Sequence, residues 1–395
     1  EIKKMTNENI KTYSNPDLLV GDGNKAKWNS PKYRREGFRN LHKINRYGFY
    51  IRSDQVLLLE KDINLKIENN NLLKKMTNHK SFCSVVFAKN NKIIYEKYAK
   101  DFSENQPHTI QSITKVFINL FIGELIDQGK IDLSKTVSFY LPEIGSGYAN
   151  ASIQNVLNMN IQNDYSENYN DPFTSSYLQE ISLGWRLPKD NQKEIDSFTF
   201  LKKINALENK TLQNDTKKAL YKSANSDVLG LIVEKISNKP LRQWLLDAIE
   251  AAGIENGLYM STDRIGFPYI SGGGHLTSKD LIRLGLLFLR KGQGVNKRKF
   301  GSRHFIDATL KNQGPKYLEL HKEPNQKNTF VRYSNQTMTS GNWLGHGGYG
   351  GQYLLVNMKT GVVGTFFSVL ETPSATDDEF KMNIVIMLEQ ISNNF

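Results

Sequence analysis

Strand-like segments stand towards both ends of this chain, with helical segments between them, and that order restricts the fold more than any other feature. Residues 84–88 and 93–98 flank the polar run Lys89-Asn90-Asn91-Lys92 and read as an antiparallel hairpin. Near the other end, 352–357 and 361–370 alternate as two strands around Met358-Lys359-Thr360. Apolar periodicity between them predicts helices over 112–128, 227–236, 241–251 and 280–289, the last capped by Thr277 or Ser278. A final helix is expected over 377–391. Strands at both ends must share a sheet to bury their apolar faces, so the fold class is α+β: one antiparallel sheet flanked by helices, with a helical insertion. Residues 1–78 are polar, with isolated anchors at Trp28, Phe38, Tyr47 and Phe49, and read as an extension wrapped over the body. The expected organisation is therefore that extension, a sheet domain from 79–115 and 275–395, and a mainly helical domain over 116–274.

Composition excludes several function classes. With 38% hydrophobic residues the chain can bury a real core and is not a disordered protein. No apolar run approaches the roughly 20 residues of a membrane-spanning helix, so no membrane span and a soluble protein are expected. The net charge of +12 is spread along the sequence without a basic recognition motif, which reads as a solvated surface rather than a nucleic-acid site. Cys83 is the sole cysteine, set in an alternating strand-like segment, so no internal disulfide or cysteine metal site exists. The seven histidines lack HxxxH or HExxH spacing, and neither metal nor other cofactor is expected. The start at Glu1 and the pI near 9.3 are compatible with a periplasmic or secreted product, with a cytoplasmic one as the alternative.

Three local patterns carry chemistry. Ser112-Ile113-Thr114-Lys115 holds the only serine followed by lysine three residues on. One helical turn brings such side chains within about 5–6 Å, so the amine can reach the hydroxyl. Free N–H groups at the helix start suit an oxyanion on bound substrate. Taken alone, Ser112 is equally an ordinary N-cap. Tyr221-Lys222-Ser223 is the second pattern, and residues two apart in extended chain face one side. Either a protonated Lys115 stabilises a Tyr221 phenolate, or a desolvated neutral Lys115 acts directly. The third is Gly345-His346-Gly347-Gly348-Tyr349-Gly350-Gly351-Gln352, directly before a strand, where glycines admit close backbone approach to a ligand. His346 and Gly348 are candidate substrate contacts there, His346 being equally readable as a structural histidine.

The order of these patterns resembles the penicillin-binding-protein/β-lactamase superfamily of serine hydrolases, in its class C-like branch. Supporting stretches are Gln111 to Lys115, Gly129 to Leu133, Tyr140-Leu141-Pro142-Glu143, and Ser271-Gly272-Gly273-Gly274 followed by Ser278 to Leu281. Within it the chain is similar to the 6-aminohexanoate-dimer (nylon-oligomer) hydrolases and their carboxylesterase relatives, through Trp28, Pro31, Arg35, the 164–172 stretch, Gly184-Trp185-Arg186 and Tyr221 to Leu229. The resemblance implies a β-lactamase/transpeptidase-like fold with the active site between the sheet and helical domains. It implies Ser112 as nucleophile, Lys115 and Tyr221 as the proton-handling pair, and an oxyanion hole from the N–H groups of Ser112 and Tyr349. Tyr169, Trp185, Ser223, Glu180 and Ser271 fall at or near its substrate-facing positions. Two departures stand out: Gly350 replaces the histidine that precedes Gly-Gln in the nylon-oligomer enzymes, and Lys359-Thr360-Gly361 lies in a turn rather than at the family's usual place.

The expected activity is hydrolysis of small esters or amides through an acyl-enzyme. A D-amino-acid peptidase or weak β-lactamase is the alternative chemistry, and a non-catalytic penicillin- or cell-envelope-binding module the alternative class. The partner expected is a small molecule, and a homodimer is compatible with the sequence.

Overall fold

The hairpin forms as expected in the computed structural model, which describes residues 25–188, 192–311, 314–320 and 329–394. Strands β1 (Phe82–Lys89) and β2 (Lys92–Tyr98) pair antiparallel around Asn90-Asn91, and Asn90 takes the left-handed conformation that asparagine tolerates at a tight turn. Near the C-terminus β3 (Trp343–Gly348), β4 (Gln352–Asn357) and β5 (Val362–Ser368) form a meander, and β5 pairs with β1. The distant segments thus meet in one sheet. Among the described residues it has nine strands, all neighbours antiparallel except Glu60–Lys61, which lies parallel to β2 at one edge.

Five helices position the site: α1 (Arg34–Ile44), α2 (Val116–Asp127), α3 (Ser223–Ser237), α4 (Ser278–Leu289) and α5 (Asp378–Asn393). Period-2 alternation along β4 divides its side chains between two cores. Leu354 and Val356 join the core that contains Leu281, Leu284 and Phe288 of α4. Tyr353 and Leu355 join Ile384, Val385 and Leu388 of α5 on the other face. Each such fully buried aliphatic or aromatic chain contributes about 1.5–3 kcal/mol, so both faces of the sheet are firmly covered. Thr277 caps α4 by accepting from Asp280 N–H, and Asp377 caps α5 in the same way.

Residues 1–24 of the expected extension lie outside the described residues; the rest is structured. Strand Gly48–Ile51 joins Leu258–Ser261, Gly274–Leu276 and His108–Thr109 in a second, four-stranded sheet that draws on all three expected segments. Arg34, 1% exposed, donates to the carbonyls of Leu370, Thr372 and Pro373 and to Asn29 Oδ1, fastening α1 to the chain just past β5. Polar periodicity hid this helix because its buried face is built partly from arginine. Cys83 is a buried strand residue, and Lys359-Thr360-Gly361 is the turn between β4 and β5. No helix among the described residues is long and apolar enough to cross a membrane.

Candidate active site

The helix expected from Ser112 begins instead with a 3₁₀ turn, Gln111–Lys115, which runs into α2. In a 3₁₀ turn residues i and i+3 eclipse, and Lys115 Nζ lies 2.9 Å from Ser112 Oγ. Gln111, immediately before the serine, has φ +50°, a strained value for a residue with a Cβ. Thr114 holds the turn, donating to Gln111 O and accepting from Gly274 N–H. On the other side β3 passes so close that a Cβ on Gly348 would sit 2.6 Å from Ile110 O, which explains a glycine at that point.

Lys115 is fully buried, and its three ammonium donors reach Ser112 Oγ, Ser223 Oγ at 3.0 Å and Ser271 O at 2.5 Å. Burial pushes its pKa down to about 8, while Glu167 and Asp227 act to raise it. Asp227 is buried as well and is pushed upward by that burial; its carboxylate accepts from Ser271 N–H, Ser271 Oγ–H and Gln179.

Tyr221 and Lys222 are the last residues before α3, and Ser223 is its first. The extended Lys222 turns its own side chain away from Tyr221, to donate to the carbonyls of Tyr165 and Asn163. That pins the loop carrying Glu167, which accepts from Ser223 N–H (2.6 Å), Ser223 Oγ–H (2.8 Å) and Tyr169 O–H (2.5 Å). A continuous chain thus runs from Ser112 through Lys115 and Ser223 to Glu167. Sequence reasoning placed Glu167 only within a family-like stretch; an acidic residue in a polar loop carries no local signal of such a role.

Tyr221 is half-buried with its hydroxyl enclosed, and its ring centroid lies 5.0 Å from Lys115 Nζ. Burial first, then Tyr333 and Glu167, hold its phenol well above the usual value, whereas the neighbouring Ser112 hydroxyl favours ionisation. Among the described residues the Tyr221 hydroxyl finds no well-formed hydrogen bond. A buried phenol hydroxyl left open beside an amine and a hydroxyl is a group available for proton exchange with a ligand.

Two cavities meet at Ser112, with Tyr169 and Tyr349 at their junction. The smaller has room for about 20 Å³ and is lined by Glu167, Glu180, Ser223 and Ser271 among others. The larger, about 480 Å³, is lined by Tyr221, Tyr317, Met338, Tyr353 and Met382. Tyr221 and Ser223 therefore face different cavities, although both reach the Ser112–Lys115 pair. Ser223 and Ser271 are engaged inward by Glu167, Lys115 and Asp227, and Glu180 is ion-paired with Arg186 at 3.0 Å.

Two sequence-predicted contacts do not reach these cavities. Trp185, 1% exposed, stands behind Trp28 and Tyr269, its indole donating to Ser261 Oγ. His346 is 2% exposed with both ring nitrogens bonded. Gly347 O can only accept, so Nδ1 carries the proton, and Nε2 accepts from Tyr333 O–H at 2.9 Å. Burial, assisted by Lys115, drops its pKa to about 3, so it stays neutral and packs behind Tyr333, which edges onto Tyr221.

A curated relative, 6-aminohexanoate-dimer hydrolase from Paenarthrobacter ureafaciens, is 28% identical over 304 residues, covering 75% of this chain and 74% of its own. The solved structure of a candidate 6-aminohexanoate-dimer hydrolase from Bacillus anthracis superposes with a TM-score of 0.79 at 20% identity, over 94% of this chain and 97% of that one. A penicillin-binding protein from Bacillus halodurans shares the fold at TM-score 0.55 and 14% identity, over 80% of this chain and 99% of that one. The model of the beta-lactamase family matches residues 79–385, and the chain belongs to that family.

Proposed function

We propose that the protein is a serine hydrolase that cleaves small esters or amides through an acyl-enzyme. The observation that carries this reading is the fully buried Lys115 amine 2.9 Å from the Ser112 hydroxyl, with the open Tyr221 phenol beside both. Ser112 Oγ attacks the carbonyl carbon as its proton passes to the Lys115–Tyr221 pair. The oxyanion takes the N–H groups of Ser112 and Tyr349. Collapse of the tetrahedral intermediate breaks the bond to the leaving group, which departs with a proton from the pair; water then repeats the sequence in reverse on the ester of Ser112. Glu167 holds Ser223 and, through it, orients Lys115. Kinship with a 6-aminohexanoate-dimer hydrolase supports amide substrates, and Gly350 in place of histidine widens the reading to esters.

Intact mass after a fluorophosphonate probe tests the proposal. One adduct is expected on the wild type and none on Ser112→Ala, whose turnover of p-nitrophenyl acetate falls by about a thousandfold or more. Folded wild type that takes no adduct would return the chain to the class of binding modules.

A further inference from the structure

The two cavities at Ser112 differ in size, and of the Lys115–Tyr221 pair only Tyr221 lines one of them, the larger. We infer that Trp28, from the segment preceding the family-matched residues, is the acyl-side wall that restricts the transferred acyl group to about the size of acetyl, and that the leaving group occupies the larger, tyrosine- and methionine-lined cleft. This rests on the serine-hydrolase reading above.

Direction comes first. The leaving group must receive a proton as it departs. Lys115 lies behind Ser112 and lines neither cavity, whereas Tyr221 lines the larger cleft and not the small one. The leaving group therefore belongs in the larger cleft, and the acyl group points to the opposite side. Size comes next. The small cavity's room of about 20 Å³ is roughly that of one water, hence of one methyl group. Its aromatic walls are Trp28, Tyr165, Tyr169, Tyr269 and Tyr349.

Four of these walls belong to the matched region, while Trp28 comes from outside it. Its indole is held by a 2.9 Å bond from Nε1–H to Trp185 O and by packing on Phe38 and Trp185. The α1 helix crosses its backbone so closely that a Cβ on Gly37 would lie 2.2 Å from Trp28 O. Arg34 fastens the same segment to the carbonyls after β5. The wall is thus fixed from behind, and it cannot yield to a longer chain without moving α1.

The test is kcat/KM for p-nitrophenyl acetate, butyrate and octanoate with wild type, Trp28→Phe and Trp28→Ala. In wild type each lengthening should cost about tenfold or more, the range a misfitting methylene group sets in a closed pocket. Trp28→Ala should raise the butyrate-to-acetate ratio by about tenfold, with Trp28→Phe between. Similar rates for octanoate and acetate in wild type, or an unchanged ratio in a folded Trp28→Ala, overturn the inference. The wild-type series decides the matter if the alanine variant does not fold. Fluorophosphonate labelling separates the two proposals: labelled Ser112 with a flat chain-length profile removes only this one, and an unlabelled Ser112 removes the reading beneath it.

Discussion

Replacing Glu167 by glutamine removes a negative charge from beside Lys115 with little change in shape. The links Lys115 Nζ–Ser223 Oγ and Ser223 Oγ–Glu167 Oε1 measure 3.0 and 2.8 Å, so the two charges lie within about 6 Å. At an effective dielectric constant of about 20 their attraction is about 3 kcal/mol, which corresponds to about two pKa units. In the wild type this attraction opposes burial and leaves the ammonium at about 8. The sign is definite: an anion favours the protonated lysine, so its removal lowers the pKa further. The acidic limb of kcat/KM for p-nitrophenyl acetate, where activity needs a neutral Lys115, is therefore expected to move from about 8 towards about 6 in Glu167→Gln. Rates measured between pH 5 and 10, on protein with an unchanged circular-dichroism spectrum, provide the readout. A limb that stays in place would refute the coupling through Ser223.

Three further expectations concern stability and positioning. His108, His275 and His346 are all buried, and burial holds each below its usual value, His108 and His346 to about 3. The unfolded chain binds protons below about pH 6.5 that the native state refuses, so stability is full above that pH and falls beneath it. At pH 5 the loss is about 2 kcal/mol for each of His108 and His346, about 4 for the two, and His275 adds to it in the same direction; an unshifted urea midpoint between pH 7 and 5 would contradict it. Gly37→Ala forces a Cβ against Trp28 O, where a 2.2 Å approach cannot be absorbed by a flexible side chain, and should cost about 1–3 kcal/mol or more in urea unfolding. His346→Ala leaves the Tyr333 hydroxyl unpaired behind Tyr221, so kcat should fall while KM holds; a KM change alone would place His346 against substrate.

Local order in the chain determined a good deal. The β1–β2 hairpin, the β4–β5 pair and the helices α4 and α5 were legible because period-2 and period-3.6 patterns and caps are written within a few residues. The Ser112–Lys115 contact was legible for the same reason, since three residues of helical chain fix it. Tertiary structure decided the rest. Glu167 reaches Ser223 only because Lys222 anchors its loop from another element, and Trp28 becomes a cavity wall only where α1 is fastened beyond β5. His346 sits in a glycine-rich run that reads as open, yet strand pairing turns it inward behind Tyr333. Residues two apart, such as Tyr221 and Ser223, share a side in extended chain; the onset of α3 between them sends one to each cavity. Contacts closed by distant chain depend on how whole elements pack, and no short window of residues carries that information.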